Sequence, residues 1–522
     1  MNWHRLVAAL ASVGLVSIVS SCNLDYPTSS PSAVIVTLNA GTTGSSAGPS
    51  TGSLTGPLIN QGLIGVNGPG PVGAQALIKN LGVDWVRVGT SLGANYNCAT
   101  GVWDPTNLDQ SVAGVLAEGG VPEIDVGGTP TCLATPTGNS GFGPQNDPPD
   151  IGSQNRQAWM SLVYQMAYHE ITTYGVAIFE IENEPDWVFW NGTMQEYFQV
   201  YNDTATAIEQ AASKANVKVM VGGPTLANIF DSMDTSWLDP FLQYVSSHNL
   251  PLDFLSWHSY PNDPLAGPGP SPGEGPYCLG NQPGPNGNTC YYNKSLDPGT
   301  PAQEARQARQ ALANYPNLHP LLVIDEWNLN GEYDARQSGP YDAAFALDVL
   351  TQAQQAGVDR MCFWDVNDSA SDPLNNWGLL TSNLEPKPVY YSFLFWHDIA
   401  GQSLPISFDP GGTSADPLGQ VGGVASRSAS GKLSVLLYNF QPYDVSGNYG
   451  TSDPTPTDHQ VVLDLTGLAA NSAYAWNRMA VDATHTGSTI ATGTLTSSAG
   501  NAQMIFDIPG DSVSLVTLNL KP

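Results

Sequence analysis

From about residue 58 to residue 400, short runs rich in β-branched and aromatic residues alternate with stretches of helical character. Nothing else in the sequence restricts the fold as much. The runs are Leu63–Asn67, Trp85–Gly89, Val121–Gly127, Ala177–Asn183, Val217–Gly222, Leu252–His258, Leu321–Glu326 and Arg360–Val366. Between most of them lie helical segments, among them Gln154–Tyr174, Met194–Ala215, Ala302–Tyr315 and Tyr341–Ala356. Strand and helix in strict succession is the pattern of parallel βα units, because parallel neighbours need a crossover between them. Eight units in roughly 310 residues match the size of a closed (β/α)8 TIM barrel, an α/β fold. A doubly wound open sheet competes, but it calls for a glycine-rich phosphate turn after the first strand. Gly65-Val66-Asn67-Gly68 lacks that spacing.

Beyond about Leu404 the texture changes to strands without helices, such as Leu433–Asn439, Gln460–Leu465, Gln503–Ile508 and Val513–Leu518. That is a β-sandwich pattern. Upstream of the barrel, the run Ala33–Leu38 reads as a short strand that could join the sandwich. Gly41 to Gly56 is nearly all Gly, Ser, Thr, Ala and Pro and reads as a linker. At the N-terminus, Arg5 precedes an apolar stretch from Leu6 to Val19, too short for a membrane span and of the length of an export signal. It ends in Val19-Ser20-Ser21-Cys22, which resembles a bacterial lipobox, although an ordinary signal peptide would also carry small residues there. The organisation expected is therefore a lipoprotein-type signal over 1–22, a linker over 23–57, a barrel over 58–401 and a sandwich over 402–522. Such a chain is exported, as a cell-envelope lipoprotein or an extracellular protein, and touches membrane only through a lipid on Cys22.

Export implies an oxidising compartment, so the remaining cysteines are expected to pair. Cys98 and Cys132 follow the second and third strands and share one barrel face; Cys278 and Cys290 share one loop. Cys362, inside Arg360-Met361-Cys362-Phe363-Trp364, is left as a buried thiol. No CxxC or Cys/His spacing points to zinc, and no cofactor is expected. The 46 acidic against 16 basic residues leave a net charge of -30. Such a surface repels phosphate backbones and anionic lipids, which speaks against nucleic acid as a partner and suits a neutral substrate, although the charge could serve only solubility outside the cell.

In a barrel, reactive side chains sit at the C-terminal ends of strands. Three polar clusters fall there: Glu182-Asn183-Glu184-Pro185, His258-Ser259-Tyr260-Pro261 and Asp325-Glu326-Trp327-Asn328. Two carboxylates across a barrel mouth are what glycosidic cleavage needs, one protonated to serve the leaving oxygen and one ionised to attack or to activate water. Repulsion between them helps keep the first protonated.

These residues also resemble a known group. Phe179-Glu180-Ile181-Glu182-Asn183-Glu184-Pro185 looks like the Asn-Glu-Pro motif of the large clan of retaining glycosidases on TIM barrels. Asp253 to Pro261 and Asp325-Glu326-Trp327-Asn328 are similar to the strand-six and nucleophile motifs of glycoside hydrolase family 39, which holds the β-xylosidases. Trp377-Gly378-Leu379-Leu380 and Pro386 to Phe393 look like its barrel-closing segment. The resemblance implies Glu184 as acid/base and Glu326 as nucleophile, about 5–5.5 Å apart. It implies Asn183 on the sugar 2-hydroxyl, Tyr260 donating to Glu326 with His258 beside it, Arg87 holding the nucleophile charged, and Trp364 as a sugar platform. Trp327, next to the nucleophile, is a further candidate for substrate contact. Arg87 could instead be a core cation satisfied by Glu180 or Glu182, His258 a structural histidine and Trp364 a core residue. Glu182 departs from the related motif, which usually has an aromatic there. The Pro- and Gly-dense stretch Asn262 to Gly299 is expected at the cleft rim, shaping the leaving-group side or serving only as a pinned decoration.

The function implied is cleavage of β-linked neutral oligo- or polysaccharide, β-xylosidase-like, by double displacement. Alternatives are an endo-acting hydrolase of an exopolysaccharide and a non-catalytic glycan-binding surface lipoprotein.

Overall fold

A computed structural model describes residues 32–41, 57–136, 146–150, 154–187, 189–227, 229, 237–261, 297–331, 334–371, 376–409, 420–440 and 457–522. The export segment with Cys22, most of the Gly41–Gly56 run and the stretch 262–296 with Cys278 and Cys290 lie outside the described residues.

Eight parallel strands close into a barrel: β2 (Gly65–Asn67), β3 (Trp85–Gly89), β6 (Val121–Val126), β7 (Ile178–Ile181), β8 (Met220–Leu226), β9 (Phe254–Ser259), β10 (Leu321–Trp327) and β11 (Arg360–Phe363). Helices α1 (Gln75–Leu81), α2 (Thr106–Glu118), α3 (Gln154–Tyr174), α4 (Met194–Ala215), α5 (Leu238–His248), α6 (Thr300–Leu312), α7 (Pro340–Ala356) and α8 (Pro388–Asp398) form the outer ring. The barrel and its eight strands follow the sequence reading, and α3 and α4 agree with it end to end. For α4 the cause is local: Thr193 and Glu196 form a reciprocal capping box at its start. The fifth strand is shifted, from the expected Val217–Gly222 to Met220–Leu226. Gly222-Gly223-Pro224 reads as punctuation, yet the strand runs through it because Phe254 packs against Gly222, where a Cβ would meet its ring at 2.4 Å.

The barrel interior has two characters. Inward positions at the strand starts (Trp85, Ile178, Phe254, Val323 and Cys362) form an apolar plug, with Met220 and Leu321 packed against it. One pleat further along, the inward residues are Arg87, Glu123, Glu180, Ser256 and Asp325, all buried. The two-residue period of a strand therefore lifts each chain from an apolar floor into a polar layer. Cys362 is free and buried in the floor, as read from its neighbours. A short hairpin, β4 (Tyr96–Asn97) and β5 (Val102–Trp103), follows β3, and the expected Cys98–Cys132 disulfide ties it to the segment after β6.

The C-terminal region is a two-sheet sandwich. One sheet has β12 (Gln402–Leu404), β14 (Gln420–Arg427), β15 (Leu433–Phe440), β20 (Ser512–Leu520), β17 (Ala473–Val481) and β18 (Thr486–Thr496), in that order. The other runs β13 (Ile406–Asp409), β1 (Ser32–Asn39), β16 (His459–Thr466) and β19 (Ala502–Ile508). The N-terminal strand β1 thus lies inside the sandwich, parallel to β16 and antiparallel to β13. Strand β15 is buried along its whole length. Its Leu433, Val435 and Leu437 face the sandwich core, whereas Leu436, Tyr438 and Phe440 join the barrel core. There the Tyr438 hydroxyl donates to Asp348 of α7 at 2.6 Å, and Phe440 meets Tyr341 and Phe345 edge-on.

Candidate active site

The site is assembled where β7, β9 and β10 emerge. After Ile181 the chain turns sharply, with Glu182 and Glu184 both at positive φ (66° and 45°). Backbone bonds from Glu182 N to Val126 O (3.1 Å) and from Glu184 N to Thr225 O (3.0 Å) hold the turn against its neighbouring strands. Left-handed backbone at non-glycine residues costs about 1–3 kcal/mol each, and here it sets the directions of three successive polar side chains.

Glu184 and Glu326 come together. His258 lies between them, with Nδ1 2.6 Å from Glu184 Oε1 and Nε2 3.6 Å from Glu326 Oε2. One oxygen of each carboxyl and one histidine nitrogen all lie within 4.8 Å of one another. That approach is nearer the spacing of a retaining pair, about 5–5.5 Å, than that of an inverting pair, about 6.5–9.5 Å apart. The Tyr260 hydroxyl donates to Glu326 Oε1 at 2.5 Å. The same three donors could also hold a divalent cation.

Arg87 stands beneath this pair. Its Nε is 2.6 Å from Glu180 Oε2 and 3.3 Å from Asp325 Oδ2, while NH1 reaches Glu326 Oε2 at 3.5 Å and NH2 Asp125 Oδ2 at 3.7 Å. NH2 also donates to Asn183 Oδ1 at 2.9 Å. Arg87 therefore fills both roles weighed from sequence: Glu180 satisfies it, and its other nitrogens orient Asn183 and Glu326. Glu182 is not among its partners. That carboxylate turns toward the end of β6, with Oε2 3.0 Å from where a Cβ on Gly127 would sit, and among the described residues neither its Oε1 nor Asp125 Oδ1 has a hydrogen-bond partner.

Burial sets the protonation states. It pushes Glu184 up to about 8, with the Arg87 charge opposing. Burial also raises Glu326, and a charged Glu184 would add to the rise, while His258 when protonated, Arg87 and the Tyr260 hydrogen bond work against it. His258 is driven down to about 4 by burial, so it is neutral at pH 7. Asp125 and Glu182 are raised to about 7 and about 8, each by burial first. Glu180 is held low by Arg87 despite its burial. Burial opposes the Arg87 charge too, but Glu180, Asp325, Asp125 and Glu326 outweigh it. One permanent cation thus sorts the carboxylates around it into charged and neutral members.

Other expected residues divide. Trp364, half-buried, follows β11, and its backbone N–H donates to Trp327 O at 2.9 Å. Trp327 is a correction: it is fully buried, edge-on to Phe363 at 5.1 Å and stacked on Phe393 at 5.9 Å. β10 shifts register between Ile324 and Trp327, which breaks the alternation after the inward Asp325, so Glu326 also reaches the mouth and Trp327 turns outward under the helices. A residue not singled out from sequence is Trp187, 53 % exposed three positions after Glu184 and edge-on to Phe189 at 5.9 Å. Asp125 was also missed. Its signal was the spacing Glu123, Asp125 within a strand that must be buried on both faces.

Known proteins bear on this geometry. The family model described as Glycosyl hydrolases family 39 matches residues 79–269. A β-xylosidase of Caldicellulosiruptor saccharolyticus is 27 % identical over 319 residues, which is 58 % of each chain. One from Geobacillus stearothermophilus is 25 % identical over 322 residues, 57 % of each. The match thus spans somewhat over half the length of these relatives. Among solved structures, the GH39 enzyme from Xanthomonas axonopodis pv. citri superposes with a TM-score of 0.71 at 19 % identity, covering 95 % of this chain and 99 % of that one. A monomeric β-xylosidase from Caulobacter crescentus gives 0.69 at 19 % identity, covering 93 % and 99 %. The structural likeness extends over barrel and sandwich alike and speaks for the fold, while the sequence matches make the barrel region similar to glycoside hydrolase family 39, in the TIM-barrel clan.

Proposed function

We propose that the protein is a retaining β-glycosidase acting on a neutral sugar at the cleaved position, with Glu184 as acid/base and Glu326 as nucleophile. The observation that carries this reading is the close approach of the two carboxyl groups, within 4.8 Å between donor atoms across His258. With its pKa near 8, Glu184 enters the reaction protonated. Among the described residues its Oε2 has no hydrogen-bond partner, which leaves it to meet the glycosidic oxygen. In the first step Glu326 forms a bond to the anomeric carbon as the bond to the leaving oxygen breaks, and the Glu184 proton passes to that oxygen. In the second, water attacks the same carbon, its proton returns to Glu184 and the ester to Glu326 breaks.

The remaining groups fit supporting roles. Asn183, held by Arg87, would meet the sugar 2-hydroxyl, a contact that strengthens as positive charge develops at the anomeric carbon. Tyr260 and Arg87 favour the ionised Glu326. Trp364 would stack against the sugar. The exposed Trp187, just after the acid/base, suits the leaving-group side. The β-xylosidase relatives and the net charge of -30 support a β-xyloside or similar neutral sugar over a uronate. Export with lipidation at Cys22 belongs to the same proposal, and the Cys98–Cys132 disulfide is in keeping with an oxidising compartment.

The test is a panel of aryl xyloside, glucoside, arabinoside, galactoside, fucoside and glucuronide, with stereochemistry followed by NMR. Release of a product with retained configuration from a neutral β-glycoside is expected. Inverted product would overturn the nucleophile assignment, and preference for the glucuronide the substrate class. Turnover of no glycoside would leave the non-catalytic glycan binder. Oligosaccharide products from a polymer would favour the endo-acting reading.

A further inference from the structure

A second cluster of donor groups lies outside the barrel mouth, between two helices of the outer ring. Asp109 is in the first turn of α2, and His169 and Glu170 are near the end of α3. His169 Nε2 stands 2.8 Å from Asp109 Oδ1. One donor atom from each of Asp109, His169 and Glu170 lies within 4.8 Å of the other two. The histidine and aspartate side chains keep 32 % and 27 % of their surface in solvent, so an ion in solution can reach them. Glu170 is fully buried, and among the described residues no N–H or hydroxyl donates a hydrogen bond to either of its oxygens.

A buried carboxylate aimed at a second carboxylate and an imidazole needs something positive among them. A proton is one solution, since burial and then the Asp109 charge push Glu170 up to about 8. A metal ion is the other, and the donor set is suited to it. One imidazole nitrogen with two carboxylate oxygens is a zinc-type set, whereas magnesium and calcium prefer oxygen alone. Zinc bonds of about 2.0–2.2 Å would ask the donor atoms to settle about 3.4 Å apart, a short contraction for side chains on two helices. The rings of Trp103 and Tyr174 lie edge-on to His169, at 5.8 and 6.3 Å, and fix its plane.

We propose that Asp109, His169 and Glu170 form a site for a zinc-class divalent cation that joins α2 to α3, with water completing the tetrahedron. Trp103 belongs to β5, and the β4–β5 hairpin carries Cys98 in its turn, so the ion would brace the hairpin that the disulfide anchors at its other end. The inference is independent of the glycosidase reading, and its test must be kept apart from it, because Glu184, His258 and Glu326 could also take up zinc.

The experiment therefore uses the full chain carrying Glu184→Gln and Glu326→Gln, stripped with a chelator and titrated with zinc chloride by calorimetry, with thermal melts alongside. One equivalent of zinc should bind, with proton release visible as a buffer-dependent enthalpy. Saturating zinc should raise Tm by roughly 2–4 °C, and magnesium should do neither. Adding Glu170→Gln should weaken zinc at least about tenfold, and adding His169→Gln gives the same readout should the first variant fail to fold. No zinc uptake, or uptake unchanged by both substitutions, overturns the site and leaves the cluster holding a proton.

Discussion

The barrel mouth and the sandwich core are buried by opposite means. Around Arg87 the mouth gathers Glu123, Asp125, Glu180, Glu182, Glu184, Asp325 and Glu326, and most of these have carboxyl oxygens with no hydrogen-bond partner. The sandwich core is Val36, Leu38, Val435, Leu437, Val461, Leu463, Leu465 and their neighbours, and no carboxylate is buried among the described residues from 402 onward. Apolar burial stabilises in proportion to area, whereas a desolvated carboxyl group destabilises unless it is paired or protonated. The contrast separates a region built to hold protons and charge from one built to hold shape. Substitutions in the first should cost activity more than stability, and in the second the reverse.

The largest effect expected is at the mouth. Glu326→Ala should lower kcat by at least about 10^4-fold, and azide should restore part of it, giving a glycosyl azide of inverted configuration. Its Tm should match or exceed that of the parent, because a buried carboxylate has been removed; a fall of many degrees would break the contrast. Leu463→Ala is the counterpart in the sandwich. It should cost about 2–5 kcal/mol in denaturant melts, with kcat/KM of the folded protein unchanged.

Between the two regions in kind is the Cys98–Cys132 bridge, which closes a separation of 34 residues. Replacing both cysteines with serine should cost about 2–4 kcal/mol, measured by thermal or denaturant unfolding. Tyr260→Phe removes a hydrogen bond to a charged acceptor, which corresponds to about 1.5–3 kcal/mol. kcat should fall accordingly, and the acid limb of the pH profile should move upward, since that bond helps hold Glu326 ionised. An unmoved acid limb would remove Tyr260 from that role.

The smallest effect sharpens the contrast through pH. Glu182 and Glu184 are raised to about 8 and Asp125 to about 7 by burial. The folded protein therefore binds more protons than the unfolded chain between roughly pH 4.5 and 8. A raised carboxyl contributes its stability in full below the unfolded value and loses it as pH rises through the folded one, so Tm should decline from about pH 5 to pH 8. Glu182→Gln should flatten that decline, and a Tm that climbs over the window would contradict it. Activity should fall on its alkaline limb near pH 8 as Glu184 ionises.

Much of this was open to reading in the sequence because it depends on local periodicity. The barrel strands, helices α3 and α4, and the position of Glu184, His258, Tyr260 and Glu326 at strand ends all follow from alternation and punctuation within short windows. In the sandwich that signal thins. Strand β18, Thr-Gly-Ser-Thr-Ile-Ala-Thr-Gly-Thr-Leu-Thr, shows no clean alternation because little of it is buried, and its pairing with β17 came only from the structure.

Other matters could not be decided by sequence at all. Whether Arg87 serves the core or the site depended on which strands become neighbours, and closure of β10 through β11 and β2 onto β3 brings Asp325 and Glu326 to a guanidinium some 240 residues earlier in the chain. Trp327 was placed by motif proximity and removed by a register shift in β10, which brings both Asp325 and Glu326 inward and turns residue 327 out, an irregularity that no alternation in the sequence announces. The sequence by itself determined the class of fold, the strand ends and the kind of chemistry they can carry, because those are properties of neighbours along the chain. Tertiary structure alone decided which carboxylates are charged and which face substrate, because desolvation and Coulomb interactions depend on distances between residues far apart in sequence.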